Sequence, residues 1–278
     1  MRISFIGLGH LNSAILAGLL AGGFEATNVT ATTHSQASAV QRSAEFGIEV
    51  IATEGNPEAN NDAVANADIV VLGVKPPQMV ATAEGLASAL ASDATVVSVA
   101  AGTTLATLAD ALPQDQPLIR TMPNVALTVG KGVVGMARGA TVTDAQVEQV
   151  DAVFAGSGTV FHVAEKDLNL VAAMAGSGPG YVFRFTNALA RAGAELGLDS
   201  ATAQELARLT VVGAGAMLET PGAEPTALED SIATEGGVTE AALQSMDAAG
   251  FDQVTRSKPM SPDPKNWEHS LRVVSFSG

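Results

Sequence analysis

The chain has 278 residues, 47% hydrophobic and 15% charged, so it can bury a sizeable core, and its length suits two domains. Zero cysteines exclude a disulfide framework, Cys-ligated zinc, iron–sulfur clusters and thiol nucleophiles. The net charge of −15, from 14 basic and 29 acidic residues, repels a phosphate backbone, and no basic patch offsets it, so no nucleic-acid partner is expected.

Through the first half, short β-rich runs alternate with helical stretches, the pattern of a doubly wound α/β domain. Strands are expected at Arg2–Ile6, Val29–Thr33, Ile69–Val74, Thr95–Ala100, Leu118–Thr121, Val133–Ala137 and Val160–Val163. Several are continuous apolar runs, which suit a parallel sheet covered on both faces. None approaches the ~18 residues of a membrane span, and the start shows no signal-peptide pattern, so a cytoplasmic protein with no membrane partner is expected. Residues 1–164 form this predicted dinucleotide-binding domain. From Glu165 the strand signals vanish and Ala, Leu, Glu and Arg dominate, which predicts an all-helical domain over 165–250. The helix predicted over Pro179–Leu196 carries Phe183, Phe185, Leu189, Ala190 and Leu196 on nearly every face. It needs cover from its own domain or from a second subunit, and a homodimer is the favoured expectation. In the last stretch, 251–278, Pro259, Pro262 and Pro264 stand among Ser, Asp and Lys, which predicts a disordered tail or an irregular strap.

Gly7-Leu8-Gly9-His10-Leu11-Asn12 follows the first strand and opens a helical pattern of Leu11, Ala14, Ile15 and Leu19. Gly7 permits the strand-to-helix turn, Gly9 lets backbone approach a pyrophosphate, and the helix start at His10 and Leu11 supplies free N–H groups. Asn12 replaces the third glycine and is expected to loosen the helix–strand contact. The second strand ends in Thr32-Thr33-His34-Ser35. With no carboxylate there to repel a 2′-phosphate, and with Thr33, His34 and Ser35 able to donate to one, NADPH is expected to bind more tightly than NADH. Lys75-Pro76-Pro77 follows the strand Ile69–Val74, where a cation suits a dinucleotide and a solvated lysine is equally ordinary. His10, His34, His162 and His269 lack ligand spacing, so no metal is expected. Gly176-Ser177-Gly178 lacks the spacing of a nucleophile elbow.

Taken with the glycine loop, five segments resemble blocks of the pyrroline-5-carboxylate reductase family. They are Ala67–Pro76, Ser98–Gly102, Arg120–Asn124, Gly176–Pro179 and Gly236–Thr239. The resemblance implies an NADPH-dependent reduction of 1-pyrroline-5-carboxylate to proline by a Rossmann-type domain followed by a helical dimerisation domain, with dimers sometimes assembled into rings. It places Asn60, Val74, Lys75 and Pro76 at the cofactor, and Ala100, Ala101, Gly102, Met122, Pro123 and Asn124 toward the nicotinamide. It makes Thr234, Gly236, Gly237, Val238 and Thr239 the substrate loop, with Thr239 as the catalytic hydroxyl beside the ring nitrogen. Val125-Ala126 and Thr234-Glu235 stand where the family usually has Thr-Pro and Ser-Pro, and Glu235 would repel a substrate carboxylate. A non-catalytic NADP-binding relative, or a reductase of another imine or keto acid, is therefore the alternative expectation.

Overall fold

The computed structural model describes residues 1–251, so the expectation for the proline-containing tail lies outside the described residues. The strands are β1 (Ile3–Ile6), β2 (Val29–Thr33), β3 (Glu49–Ala52), β4 (Ile69–Leu72), β5 (Thr95–Ser98), β6 (Leu118–Pro123), β7 (Gly132–Arg138) and β8 (Gly158–His162). They form one eight-stranded sheet in the order β3-β2-β1-β4-β5-β6-β7-β8.

Every residue of β1, β4 and β5 is buried, which is why β4 reads as an unbroken apolar run and why Ser4, Thr95 and Ser98 are the only polar residues in the three. Alternation then sends one set of side chains to each face. Phe5, Val71 and Val97 join one core with Ile15, Leu16 and Leu19 of α1 (His10–Ala21). Ile6, Val70, Leu72 and Val96 join the other with Met79 and Leu86 of α4 (Met79–Leu86) and Leu108 of α5 (Leu105–Ala111). Between these lie α2 (Gln36–Phe46) and α3 (Ala59–Val64), and α6 (Asp144–Phe154) packs Val150, Val153 and Phe154 into the first core. Burying each such Leu, Ile or Phe contributes ~1.5–3 kcal/mol.

Two expectations need correction. The sheet is not wholly parallel, because β7 runs antiparallel to β6, Pro123 pairing with Val134. The link between them is a short 3-10 turn, Val125–Val129, closed by Gly130 at φ 71, whereas a parallel crossover needs roughly a dozen residues or more. The strand β3 was not anticipated. It is a half-exposed edge strand, and Glu49-Val50-Ile51-Ala52 is too short and too polar at its start to stand out.

The chain divides into two compact units, Met1–Ser177 and a helical unit that starts at Gly178. The first compact unit runs past Ala164 because the segment from Glu165 is tied to the sheet. Glu165 Oε1 accepts from Leu105 N–H at 2.7 Å and from Arg120 Nη1 at 3.0 Å, and Asn124 Nδ2 donates to the Ala175 carbonyl at 3.0 Å. That segment contains α7 (Leu168–Val171) and a π-turn over Ala172–Gly176.

The second unit contains α8 (Gly178–Glu195), α9 (Ser200–Leu218), α10 (Pro225–Ile232) and α11 (Val238–Ala248). Helices α8 and α9 pack together across a turn at Gly197, and Asp199 caps α9 by accepting from Thr202 N–H at 3.0 Å. The reading of α8 as apolar all round is corrected. Arg184, Asn187, Arg191 and Glu195 recur at helical spacing to make a polar stripe, and no residue of α8 is buried. Phe183 is 62% exposed and Val212 of α9 57%, with Tyr181, Phe185, Leu206 and Leu209 also exposed. Among the described residues, the unit's own helices therefore do not cover this apolar surface.

Candidate active site

Strand β1 lies between β2 and β4, so the chain direction across the sheet reverses at the β1/β4 edge. Crevices outside the carboxyl ends of strands at such a reversal are where open α/β sheets bind ligands. Gly7 turns the chain there with φ +80, a conformation that glycine adopts without strain. A Cβ on Gly7 would sit 3.1 Å from Val74 Cγ1 and 3.3 Å from Val74 N, so the two lips of the crevice are already in contact. Gly7 N–H donates to Thr32 Oγ1 at 3.2 Å, and Leu8 N–H donates to the Thr32 carbonyl at 2.7 Å. These bonds hold the loop against β2.

Gly9 is the N-cap of α1, in extended conformation and without a side-chain cap, and a Cβ there would meet nothing within 4 Å. The N–H groups of His10 and Leu11 follow at the helix start, without intrahelical acceptors and at the positive end of the helix dipole. Asn12 does not loosen the contact, as the sequence had suggested. It is 1% exposed and donates from Nδ2 to the Gly7 carbonyl at 3.1 Å. Room comes from Gly73, where any Cβ would collide with the Asn12 amide.

At the end of β2, Thr33 is buried and donates to the Ser35 carbonyl at 3.3 Å. Ser35 Oγ caps α2 by accepting from Ser38 N–H at 3.3 Å and donates to Ser38 Oγ at 3.0 Å. With both hydroxyls engaged, the donors facing solvent at this edge are the exposed His34 ring and the first N–H groups of α2. Asn60 lines a recess of about 400 Å³ with Pro57, Pro77, Gln78, Ala81 and Leu86, and its Oδ1 is buried without a hydrogen-bond partner. Lys75 and Pro76 are exposed just beyond β4.

After β5, Ala100 is buried with its N–H toward Ser98 Oγ at 3.4 Å, Ala101 is half-buried, and Gly102 turns at φ +90. At the end of β6, Met122 is half-buried and Pro123 buried. Asn124 is committed to the fold, its Oδ1 accepting from Val133 N–H at 3.1 Å while Nδ2 holds Ala175. It locks the β6–β7 turn to the π-turn.

In the second unit the segment from Thr234 to Gly237 forms a tight turn, Gly237 N–H donating to the Thr234 carbonyl at 2.9 Å. Gly236 sits at φ +70, and a Cβ on Gly237 would be 2.6 Å from Thr234 Oγ1, so both positions require glycine. Gly237 caps α11 without a side-chain bond, Val238 is 89% exposed and Thr239 half-buried. Glu235 is exposed. Glu240 Oε2 accepts from Gly236 N–H at 2.7 Å, a contact that sequence reading missed. An acid three residues after the glycine cap was its available signal.

Residues 165–258 match the family model described as pyrroline-5-carboxylate reductase dimerisation, and residues 2–102 match one described as coenzyme F420-dependent NADP oxidoreductase. The pyrroline-5-carboxylate reductase of Pseudomonas aeruginosa is 36% identical over 252 residues, which cover 90% of each chain. The chain belongs to the pyrroline-5-carboxylate reductase family. Among solved structures, the pyrroline-5-carboxylate reductase of Coxiella burnetii superposes with a TM-score of 0.86 at 28% identity, covering 97% of this chain and 95% of that one. The Plasmodium falciparum pyrroline carboxylate reductase, solved with NADP bound, shares the fold with a TM-score of 0.79 at 22% identity and covers 97% of each chain. In this pyrroline-5-carboxylate reductase family member, Thr32, Gly73 and Arg120 fall within segments that the sequence singles out, but the bond from Gly7 N–H to Thr32, the fit of Asn12 over Gly73 and the pairing of Arg120 with Glu165 are contacts that motif reading did not give.

Proposed function

We propose that the protein reduces 1-pyrroline-5-carboxylate to L-proline with NADPH, working as a homodimer in the cytoplasm. The observation that carries this is the cradle at the β1/β4 crevice, joined in one chain to a second unit whose sequence matches a reductase dimerisation model. The residues present suit a dinucleotide. Gly7 makes the turn and Gly9 leaves open space beside it, His10 and Leu11 offer unpaired N–H groups, and Asn60 keeps a buried acceptor without a partner. A pyrophosphate would be held at the start of α1, with Lys75 nearby as a point charge. The 2′-phosphate would meet His34 and the start of α2, and β2 does not end in the carboxylate that would repel it, which supports NADPH over NADH.

NADPH, when bound, supplies a hydride to the imine carbon. The chain's own work is to align the ring and stabilise its protonated nitrogen. Met122, Pro123 and the turn at Ala100–Gly102 shape the nicotinamide side. The Val238 and Thr239 N–H groups at the start of α11 would take the substrate carboxylate, and the Thr239 hydroxyl would bond the ring nitrogen, with water as the proton source. The exposed apolar faces of α8 and α9 would be covered by a second subunit, and assembly of dimers into rings is compatible with that arrangement.

The test is the loss of reduced-nicotinamide absorbance with pyrroline-5-carboxylate, against a control lacking it. Thr239→Ala should lower kcat ten- to hundred-fold, as loss of one hydrogen bond to a charged group of ~1.5–3 kcal/mol implies, and leave NADPH affinity intact. A parent that binds NADPH and reduces no pyrroline-5-carboxylate would refute the reading, and a Thr239→Ala as fast as the parent would remove that residue from the chemistry.

A further inference from the structure

The turn proposed to hold the substrate carboxylate already holds a carboxylate from within the chain. Glu240 Oε2 accepts from Gly236 N–H at 2.7 Å, and Gly237 N–H is bonded to the Thr234 carbonyl at 2.9 Å. Of the four N–H groups from Gly236 to Thr239, those of Val238 and Thr239 alone stand open at the helix start. At φ +70, Gly236 has its N–H direction set by the backbone of the turn, while Glu240 reaches it through a flexible side chain. The side chain is the partner that can leave. Exposed Glu235, next to Gly236, adds a second negative charge to the same turn.

We propose that Glu240 is a specificity-determining residue that competes with the carboxylate of the ligand for the Gly236 N–H. This rests on the reading of the Thr234–Thr239 turn as the carboxylate site. An acid gains that donor only by displacing Glu240, and it then lies beside the displaced charge. A ring of the same size without a carboxylate meets neither obstacle. The turn thus holds affinity for anionic ligands below what its donors alone would provide, and its charge discriminates among rings by their acidity. An acid that does nothing except cap α11 would contribute to helix stability and leave that discrimination unchanged.

The experiment compares the parent with Glu240→Gln and Glu240→Ala, as full chains saturated with NADP+. Glutamine keeps an oxygen for the Gly236 N–H and removes the charge, whereas alanine removes both, so the glutamine variant decides if alanine weakens the fold. Calorimetric titrations with L-proline and with pyrrolidine, which lacks the carboxylate, run beside steady-state reduction of pyrroline-5-carboxylate. Proline should bind about five- to thirty-fold more tightly to the variants, ~1–2 kcal/mol at 1.4 kcal/mol per tenfold, with KM for pyrroline-5-carboxylate falling in step. Pyrrolidine affinity and KM for NADPH should stay put. Equal shifts for proline and pyrrolidine, no shift for either, or weaker proline binding in the glutamine variant overturns the proposal. A parent that reduces no pyrroline-5-carboxylate counts against the functional reading alone. Proline binding in the variants still decides the role of Glu240, a gain supporting it and no gain refuting it.

Discussion

Replacing Gly9 with alanine should separate cofactor binding from folding. Gly9 has φ −81 and ψ −171, open to alanine, and an added Cβ would meet nothing within 4 Å. The folding cost is then confined to the poorer N-cap preference of alanine, ~1 kcal/mol or less, or a few degrees in Tm for a chain of this size. The second glycine of such a loop is where backbone closes on a pyrophosphate, so the methyl occupies space the ligand needs. Lengthening one charge-assisted hydrogen bond of ~1.5–3 kcal/mol predicts NADPH binding weaker by ten- to hundred-fold. Gly7→Ala should behave in the opposite way. Its φ of +80 costs an L residue ~1–2 kcal/mol, and a Cβ 3.1 Å from Val74 Cγ1 adds ~1–3 kcal/mol of overpacking, so Tm should drop clearly even without ligand. Thermal melts of both variants and calorimetric NADPH titrations of Gly9→Ala provide the check. A Gly9→Ala that binds NADPH like the parent would refute the cradle, and a Gly7→Ala that melts with the parent would refute the strain argument.

Ser35→Asp should preserve the α2 cap, since aspartate caps as well as serine, while a charge ~6 Å from a 2′-phosphate costs ~2–3 kcal/mol at an effective dielectric of 20. NADPH affinity should fall tens-fold relative to NADH, and an unchanged ratio would move the 2′-phosphate elsewhere. Phe183→Glu puts a charge on the exposed apolar face of α8, and sedimentation at micromolar concentration should show the parent as a dimer and the variant as monomer or aggregate. A dimer that survives the change would place the interface on another surface. Hydrogen bonds from Thr202 N–H, and then from its hydroxyl, hold the Asp199 carboxyl below its ordinary value of 3.8. A depressed pKa gives stability that is present above that value and lost as pH falls through the lowered one. Asp199→Ala should therefore trail the parent in urea midpoint at neutral pH and converge with it in acid, and a gap that persists well below 3.8 would refute the assignment.

The sequence alone made the α/β half legible because its signals are local. A strand buried on both faces must be a short apolar run, as Ile69–Leu72 is, and a strand-to-helix turn at φ +80 calls for glycine at position 7. The turn around Gly236-Gly237 and the helix after it were legible for the same reason. Other features depended on partners distant in the chain. Asn12 fits in place of a glycine because Gly73, just past the end of β4, gives up its Cβ space, and the Gly7 N–H finds its acceptor in Thr32 of the neighbouring strand. The antiparallel β7, the edge strand β3 and the tie from Glu165 to Leu105 and Arg120 likewise follow from sheet order and turn length, to which composition is blind. For α8, residue types suggested a helix apolar on nearly every face, the spacing of Arg184, Asn187, Arg191 and Glu195 marks a polar stripe, and only the tertiary structure showed that the described helices of its own unit leave Tyr181, Phe183 and Phe185 uncovered. Periodicity reports which side chains share a surface, and tertiary structure alone decides what lies against it, because contact energies are set by neighbours in space.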